Sequence, residues 1–221
     1  MPTYVMSCFK LPRKLCKDIS TLMSNFWWGE TAGRNKMHWI SWDKMVAHNN
    51  AGCVGFKDME AFNKALLGKQ VWRFLTKPNL LVSKVLKAKY FPQESILQCT
   101  PPKNASWMWQ GLMGARGLLD EGLIRRIGNG RSTRIWDHKW IPETLTGKPA
   151  MCRISNCELE IVDELICQQR WNRNIIFRNF SKEDAEKIVR IPLSLSRRED
   201  SFYWKSKAGG EYTVDSGYKM L

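Results

Sequence analysis

Through the first half of the chain, apolar residues recur at three- and four-residue spacing, which is the period of an amphipathic helix. The clearest run follows Asp58, a typical helix-capping residue, and ends before Lys77-Pro78. The other runs are likewise bounded by a capping residue, a glycine or a proline. We therefore predict helices over residues 15–28, 42–48, 59–76, 80–90 and 106–119.

The predicted helices separate apolar from basic faces. In the helix over 59–76, Lys69 and Arg73 lie four residues apart, opposite a wide apolar arc. In the helix over 80–90, Lys84 and Lys87 point away from the apolar stripe. That stripe is expected to bury Val82, Val85, Leu86 and Tyr90.

From residue 123 the pattern changes to short β-type runs. Residues 123–127 and 132–136 flank Gly128-Asn129-Gly130, and Asn-Gly is the typical sequence of a two-residue hairpin turn. Residues 202–204 and 212–214 predict a second hairpin. Short helices are expected near 161–167, from Ser181 to 189, and from about 215. The predicted fold class is mainly α (α+β), with two β-hairpins.

Positive charge is concentrated in one part of the chain. The net charge is +14, and residues 1–150 hold 23 Lys/Arg against 10 Asp/Glu. Residues 151–221 hold 12 against 11. We therefore predict a basic helical region over 1–150, ending in a hairpin, and a small α+β region over 151–221. Such an imbalance indicates a face that meets a polyanion, and a generally basic surface is the alternative.

Several classes of protein are disfavoured. The seven cysteines are an odd number without regular spacing, which is typical of reduced thiols rather than a secreted disulfide scaffold. No stretch approaches the roughly 18 apolar residues of a membrane helix, and no signal peptide is evident. We expect an intracellular protein, of the nucleus or the cytoplasm, without a membrane partner.

The sequence offers no set of catalytic residues. Polymerases and nucleases need carboxylates that converge on metal ions. The acidic pairs here lie near predicted helix ends or turns, where acids are usually caps or solvated surface. His138 beside Asp137 is more typical of a surface residue than of a general base, and no cysteine spacing predicts a zinc site. We predict no catalytic residue, metal or cofactor. The acidic pairs are Asp120-Glu121, Asp163-Glu164, Glu183-Asp184 and Glu199-Asp200.

A series of short segments stands in the order found in one known family. Together they resemble the region that follows the reverse transcriptase core in plant LINE-type (non-LTR) retrotransposon polyproteins. A departure is Gly52-Cys53-Val54-Gly55, where the family usually has a Gly-Gly pair. The matching segments are Phe26-Trp27-Trp28-Gly29, His38-Trp39, Gly55-Phe56, 62–67, 69–73, 86–92, 128–137, Trp140-Ile141-Pro142, 191–204 and 210–218.

The resemblance implies a role like that of a polymerase thumb and connector, which hold a template–primer duplex by its backbone. The polymerase aspartates, the zinc ligands and the ribonuclease H carboxylates of such polyproteins are not in this chain, so those domains are its expected neighbours. The resemblance also implies that the chain stops at the start of the zinc-binding region. We therefore expect residues 215–221 to fray and to expose apolar surface near Val214 and Tyr218.

The predicted partners are RNA, DNA or their hybrid, bound without sequence preference through backbone phosphates. Paired cations on helix faces suit this role, as do the arginines of the first hairpin. If that hairpin has a two-residue turn, Arg125 faces Arg134 and the two bracket a phosphate; splaying into solvent and another register are the alternatives. Trp28, Trp39 and Trp140 are candidates for base stacking. The candidate phosphate ligands are Lys69, Arg73, Lys84, Lys87, Arg125, Arg126, Arg131 and Arg134.

Three alternatives remain for the function. The chain could share the reverse transcriptase or ribonuclease H activity of the parent polyprotein, which a cluster of metal-binding carboxylates would favour. It could be a protein-interaction module that uses exposed tryptophans, which salt-insensitive binding to a partner would favour. It could also retain no function.

Overall fold

The computed structural model describes residues 3–29, 39–46, 55–144, 146–150, 158–194, 196, 198–207 and 209–221. His38, His48, residues 52–54, Cys152 and Cys157 lie outside the described residues. In chain order the elements are α1 (Thr3–Cys8), α2 (Arg13–Trp28), α3 (Trp42–Val46), α4 (Met59–Thr76), α5 (Leu81–Tyr90), α6 (Trp107–Gly122), β1 (Leu123–Arg126), a 3₁₀ turn (Val162–Leu165), β2 (Ile166–Cys167), β3 (Arg170–Trp171), α7 (Arg173–Asn179), α8 (Lys182–Arg190), β4 (Ser201–Trp204) and α9 (Val214–Tyr218).

The chain forms two units, and each has its own packing. The helical unit comprises Met1–Glu121 with Tyr212–Leu221, and the mixed unit comprises Gly122–Glu211. Helices dominate the first, and short strands and helices make up the second. The predicted mainly α (α+β) class is confirmed.

Local capping signals explain where the helices of the helical unit begin and end. Asp58 Oδ1 accepts a hydrogen bond from Ala61 N (2.7 Å) at the start of α4, as predicted. Gly29 ends α2 in the left-handed conformation, at φ 70°, which glycine adopts without steric cost. The five helices predicted between residues 15 and 119 are all present within the described residues.

Helix α4 is the centre of the helical unit. It packs against α1, α2 and α9, and the buried side chains of Met6, Cys16 and Met59 form one of its contacts. Beside it, the ring of Trp109 on α6 lies parallel to that of Tyr90, with centroids 4.4 Å apart. Buried aromatic and aliphatic side chains therefore fix these helices against one another.

The buried face of α5 differs from the predicted stripe. Leu86 is buried as predicted, but Val82 and Val85 are exposed and Ser83 is buried in their place. Ser83 Oγ donates a hydrogen bond to Lys77 O (3.0 Å), in the turn that precedes the helix. With Ser83 and Leu86 on the buried face, both valines are turned outward. The prediction was wrong for Val82 and Val85.

The C-terminal residues pack onto α4. The Tyr212 hydroxyl donates to Ala65 O (2.9 Å), and the Tyr218 hydroxyl accepts from Asp58 N (2.8 Å). Both tyrosines are buried. The expectation that Tyr218 presents exposed apolar surface was therefore wrong, because its ring is covered and its hydroxyl is held.

Neither predicted hairpin is present among the residues that the structure describes. Strand β1 pairs antiparallel with β4, so Arg125 lies opposite Phe202 rather than Arg134. Residues 212–214 lead into α9 instead of a strand. A hairpin that was not predicted joins β2 to β3, and Cys167 pairs with Arg170 across a two-residue turn.

The boundary predicted near residue 150 falls inside the mixed unit. Its core combines side chains from both sides of that position, including Ile135, Trp140, Val162 and Ile188. Ala150 N also donates to a carboxylate oxygen of α8 (2.8 Å). The unit boundaries therefore lie at residues 121–122 and 211–212.

Candidate nucleic-acid interface

Asp200 organises the loop that follows β1. Its Oδ1 accepts hydrogen bonds from Gly128 N (2.7 Å) and Gly130 N (2.9 Å). Its Oδ2 accepts three more, from Ser132 N (3.2 Å), Ser132 Oγ (3.0 Å) and Thr133 Oγ1 (2.7 Å). Burial raises the pKa of Asp200, but these donors outweigh it, and the net pKa is lowered. The expectation of a solvated surface acid was wrong for this residue.

Arg125 and Arg126 lie on β1 against aromatic side chains of β4. The Arg125 guanidinium lies 5.0 Å from the ring centroid of Phe202, and the Arg126 guanidinium lies 5.6 Å from that of Tyr203. Arg125 Nη1 also donates to Ser132 O (2.8 Å). Burial lowers the pKa of Arg125, although the charge of Asp200 opposes the shift. Arg125 therefore supports the loop, whereas Arg126 is exposed.

Arg131 and Arg134 each form an ion pair at the surface. Arg131 Nε lies 3.4 Å from Asp163 Oδ2, and Arg134 Nη1 lies 3.5 Å from Asp137 Oδ2. The predicted cross-strand pair of Arg125 and Arg134 does not exist, because β1 takes β4 as its partner. Arg125 and Arg134 therefore do not face each other across a hairpin to bracket a phosphate. Both side chains nevertheless lie near His138.

His138 lies in a positively charged environment. Its Nδ1 accepts a hydrogen bond from Arg134 N (2.9 Å), so that nitrogen cannot act as a base. Burial is the largest cause that lowers its pKa, to about 4. Arg125, Arg134 and Lys148 lower it further, against the charge of Asp137. The neutral imidazole is therefore a structural acceptor at neutral pH.

We expect His138 to make the mixed unit less stable as the pH falls. The folded pKa of about 4 lies below the ordinary value of 6.5, so the unfolded chain takes up a proton first. Stability should therefore fall from pH 6.5 toward pH 4 and level off below it, by about 1–2 kcal/mol after allowance for solvent screening. Urea unfolding at pH 7 and pH 5 measures the effect.

The control is His138→Asn, which keeps an acceptor for Arg134 N but does not titrate. The stability lost between the two pH values should be smaller in this variant than in the native chain. Equal losses in the two proteins would contradict the assignment of the pH dependence to His138.

The predicted lysines of the helical unit have two different environments. Lys69 is half-buried and donates through Nζ to Tyr212 O (2.5 Å), so its amine holds the C-terminal residues. Arg73 is exposed and contacts Gln70. Lys84 and Lys87 are exposed on α5, and within the described residues neither forms an ion pair. Lys84 and Lys87 are therefore accessible to a phosphate, whereas the amine of Lys69 is bound to the C-terminal residues.

The three tryptophans predicted to stack on bases also differ. Trp39 is 79% exposed, Trp28 is half-buried, and Trp140 is buried with its Nε1 bonded to Ile135 O (2.9 Å). Trp140 therefore cannot present a ring face, and this prediction was wrong. Trp27 and Trp107, which were not predicted, are 48% and 56% exposed.

The two units carry different amounts of positive charge. The helical unit holds 18 Lys/Arg against 9 Asp/Glu, a net charge of +9, and the mixed unit holds 17 against 12, a net charge of +5. Sequence reasoning missed Lys148, which contributes to the basic environment of His138. No motif in the sequence pointed to it, because folding brings it there from the loop after Trp140.

Within the described residues, no three or more His, Cys, Asp and Glu side chains come together in a group that could hold a metal ion. Among the same residues, no helix has both the length and the apolar character required to cross a bilayer.

Two curated proteins of Arabidopsis thaliana are similar to the chain. An uncharacterised mitochondrial protein is 38% identical over 142 residues, which cover 64% of this chain and 92% of that protein. A candidate ribonuclease H protein is 27% identical over 231 aligned positions, which cover 100% of this chain but 37% of that protein. No family model matches the sequence, and no solved structure does.

Proposed function

The chain belongs to a family of plant retrotransposon-derived proteins, and from that premise we propose that it binds nucleic acid through backbone phosphates without catalysing a reaction. We place its parent among the LINE-type polyproteins, on the motifs from Phe26 to Tyr218. In this proposal the chain holds template–primer duplex in the manner of a polymerase thumb and connector. RNA, DNA and their hybrid are the partners.

One observation supports the proposal most strongly. Helix α5 exposes Lys84 and Lys87, one turn apart, on a unit whose net charge is +9. Within the described residues these lysines form no ion pair, so a phosphate would not have to displace a carboxylate. Cations on a rigid helix neutralise a phosphate backbone and release its counterions, which favours binding irrespective of sequence.

The mixed unit offers a second basic surface. Arg126 is exposed beside Tyr203, and Arg134 and Lys148 lie around His138. Arginine beside an aromatic ring can contact a phosphate and a base together. Arg125 is tied to Ser132, so we assign it a positioning role for this surface.

The name of the longer relative favours one alternative, which is ribonuclease H activity. The chain spans 37% of that relative, so the activity of the whole protein need not reside in this part. The purified chain with Mg²⁺ or Mn²⁺ should neither cut the RNA of a hybrid nor extend a primer. Metal-dependent turnover that persists through further purification would favour the enzyme instead.

The lysines of α5 provide the test of binding. We expect Lys84→Ala with Lys87→Ala to weaken binding to an RNA–DNA hybrid, because two phosphate contacts are lost. The slope of log affinity against log salt should become less steep by about one to two. Fluorescence anisotropy with a labelled hybrid, repeated at several salt concentrations, measures both quantities.

The matched control removes the same charge elsewhere. Lys182 and Lys187 lie on α8, which also carries Glu183, Asp184 and Glu186. Changing these two lysines to alanine should leave the salt slope nearly unchanged. If the two double variants behave alike, only net charge matters and α5 is not the interface.

A further inference from the structure

A cavity of about 410 Å³ lies in the mixed unit, beside the loop that Asp200 holds. Its volume is within the range of pockets that enclose small ligands. Ile166 and Leu193 supply apolar surface, and amide and charged groups supply the remainder. Its polar side chains include those of Asn129, Arg131, Asp163, Gln168 and Gln169.

The wall formed by residues 128–131 is preorganised. Asp200 fixes the N–H groups of Gly128 and Gly130, and Asp163 N donates to Gly130 O (3.1 Å). A Cβ added at Gly130 would lie 2.6 Å from Asp163 N, so the two segments pack without space for a side chain. The backbone of this wall therefore does not need to reorganise to receive a ligand.

The opposite rim is a turn in an unfavourable conformation. Gln168 and Gln169 both have positive φ, of 48° and 63°, between the paired residues of β2 and β3. Such a turn favours Asn-Gly, because most side chains are strained there. Within the described residues, neither glutamine side chain forms a hydrogen bond. Strained backbone of this kind clusters at functional sites, and here two side-chain amides line the cavity.

Arg131 and Asp163 present donors and an acceptor side by side. Their ion pair at 3.4 Å uses the Arg131 Nε, and the two Nη groups keep donors for a ligand. Both side chains are substantially exposed. A ligand that matches them must offer two acceptors beside two donors.

Guanine has this arrangement among the nucleobases. Its O6 and N7 accept from an arginine, and its N1–H and N2–H donate to a carboxylate. Adenine and cytosine offer the carboxylate a single amino group, and uracil offers a single N–H. The apolar side chains of Ile166 and Leu193 suit the faces of a planar base.

We infer that this pocket binds one unpaired guanine, with Arg131 and Asp163 reading its polar edge and Gln168 and Gln169 closing the rim. The inference rests on the proposed binding of nucleic acid, to which it adds a base preference in single-stranded segments. Contacts to phosphates position the strand, and the pocket selects one base.

The test compares two single-stranded RNAs, an oligouridine and the same strand with one central guanine. The native chain should bind the guanine-containing strand about tenfold more tightly, measured by fluorescence anisotropy at one salt concentration. Asp163→Asn should abolish this preference and leave the affinity for oligouridine nearly unchanged. Persistence of the preference in Asp163→Asn would overturn the inference.

A second variant tests whether the two glutamines contribute to guanine binding or only to the stability of the fold. Gln168→Gly with Gln169→Gly installs a turn sequence that adopts positive φ at both positions and removes both amides. It should raise the melting temperature while reducing the guanine preference. A variant that is more stable and keeps the full preference would exclude the glutamines from the site.

The outcomes distinguish this inference from the proposed function. Equal affinity of the native chain for both RNAs would overturn the inference that the pocket binds guanine. It would leave the proposed phosphate binding intact. If neither RNA binds, the proposed function fails, and guanosine alone then tests the pocket. Guanosine, but not uridine, should shift the NMR signals of residues 128–131, and identical responses to the two nucleosides would reject the pocket as well.

Discussion

We expect Asp200→Ala to lower the free energy of unfolding of the mixed unit by about 3–4 kcal/mol. The variant loses five hydrogen bonds to a carboxylate and leaves the N–H groups of Gly128 and Gly130 without their acceptor. A buried donor without a partner costs more than the bond alone contributes. Urea unfolding measures the loss, and amide exchange over residues 127–135 locates it.

Glu199 provides the matched control for Asp200. It precedes Asp200 directly and is exposed, so Glu199→Ala should change the free energy of unfolding by less than about 0.5 kcal/mol. Comparable losses in the two variants would show that Asp200 does not anchor the loop.

The lowered pKa of Asp200 adds a dependence on pH. The folded value lies below that of the unfolded chain, so the stabilisation is present above about pH 4 and is lost as the pH falls through the folded pKa. The difference in stability between the native chain and Asp200→Asn should therefore shrink below about pH 4. A difference that stays constant to pH 2 would contradict an ionised anchor.

Gly68→Ala should destabilise the helical unit by about 2–3 kcal/mol. A Cβ at this position of α4 would lie 2.7 Å from Tyr212 Oη and 3.2 Å from its Cζ. Tyr212 cannot retreat without breaking its hydrogen bond to Ala65 O, and its ring is fully buried. Thermal and urea unfolding measure the change.

Two comparisons test whether contact with Tyr212 causes the loss of stability in Gly68→Ala. Gly114 on α6 has nothing within 4 Å of an added Cβ, so Gly114→Ala should be neutral or stabilising, by up to about 1 kcal/mol. In a Tyr212→Phe background the nearest clashing atom is absent, and Gly68→Ala should cost at least about 1 kcal/mol less. If the stability losses of Gly68→Ala and Tyr212→Phe simply add in the double variant, contact with Tyr212 is not the cause.

The helices could be predicted because their signals are local. Caps such as Asp58 and Gly29, and the prolines between helices, act within a few residues of the ends they define. Two short helices, α1 and α7, were not predicted. Their six and seven residues contain too few turns for a period to be visible.

The strands could not be predicted because their partners are distant in the sequence. Asn129-Gly130 has the typical sequence of a hairpin turn, yet the loop is bound by Asp200, and β1 pairs with β4. The hairpin of β2 and β3 turns at Gln168-Gln169, a sequence that carries no turn signal. Tertiary contacts overrode the local preference at both places.

Only part of the candidate site could be predicted from the sequence. Lys84 and Lys87 are exposed as predicted, although the apolar stripe from which they were placed includes Val82 and Val85, which are exposed as well. Lys69 was also placed on a basic helix face, but its side chain contacts Tyr212 O, which comes from the far end of the chain. Trp140 was misassigned for a similar reason, since its neighbours in the core include residues after 160.

The salt dependence of binding to an RNA–DNA hybrid tests the central claim most directly. The native chain should bind two hybrids of unrelated sequence with similar affinity. For both, log affinity should fall linearly with log salt concentration, with a slope of about −0.9 for each phosphate neutralised and therefore several in total. Absence of binding at low salt, or an affinity that does not change with salt, would contradict it.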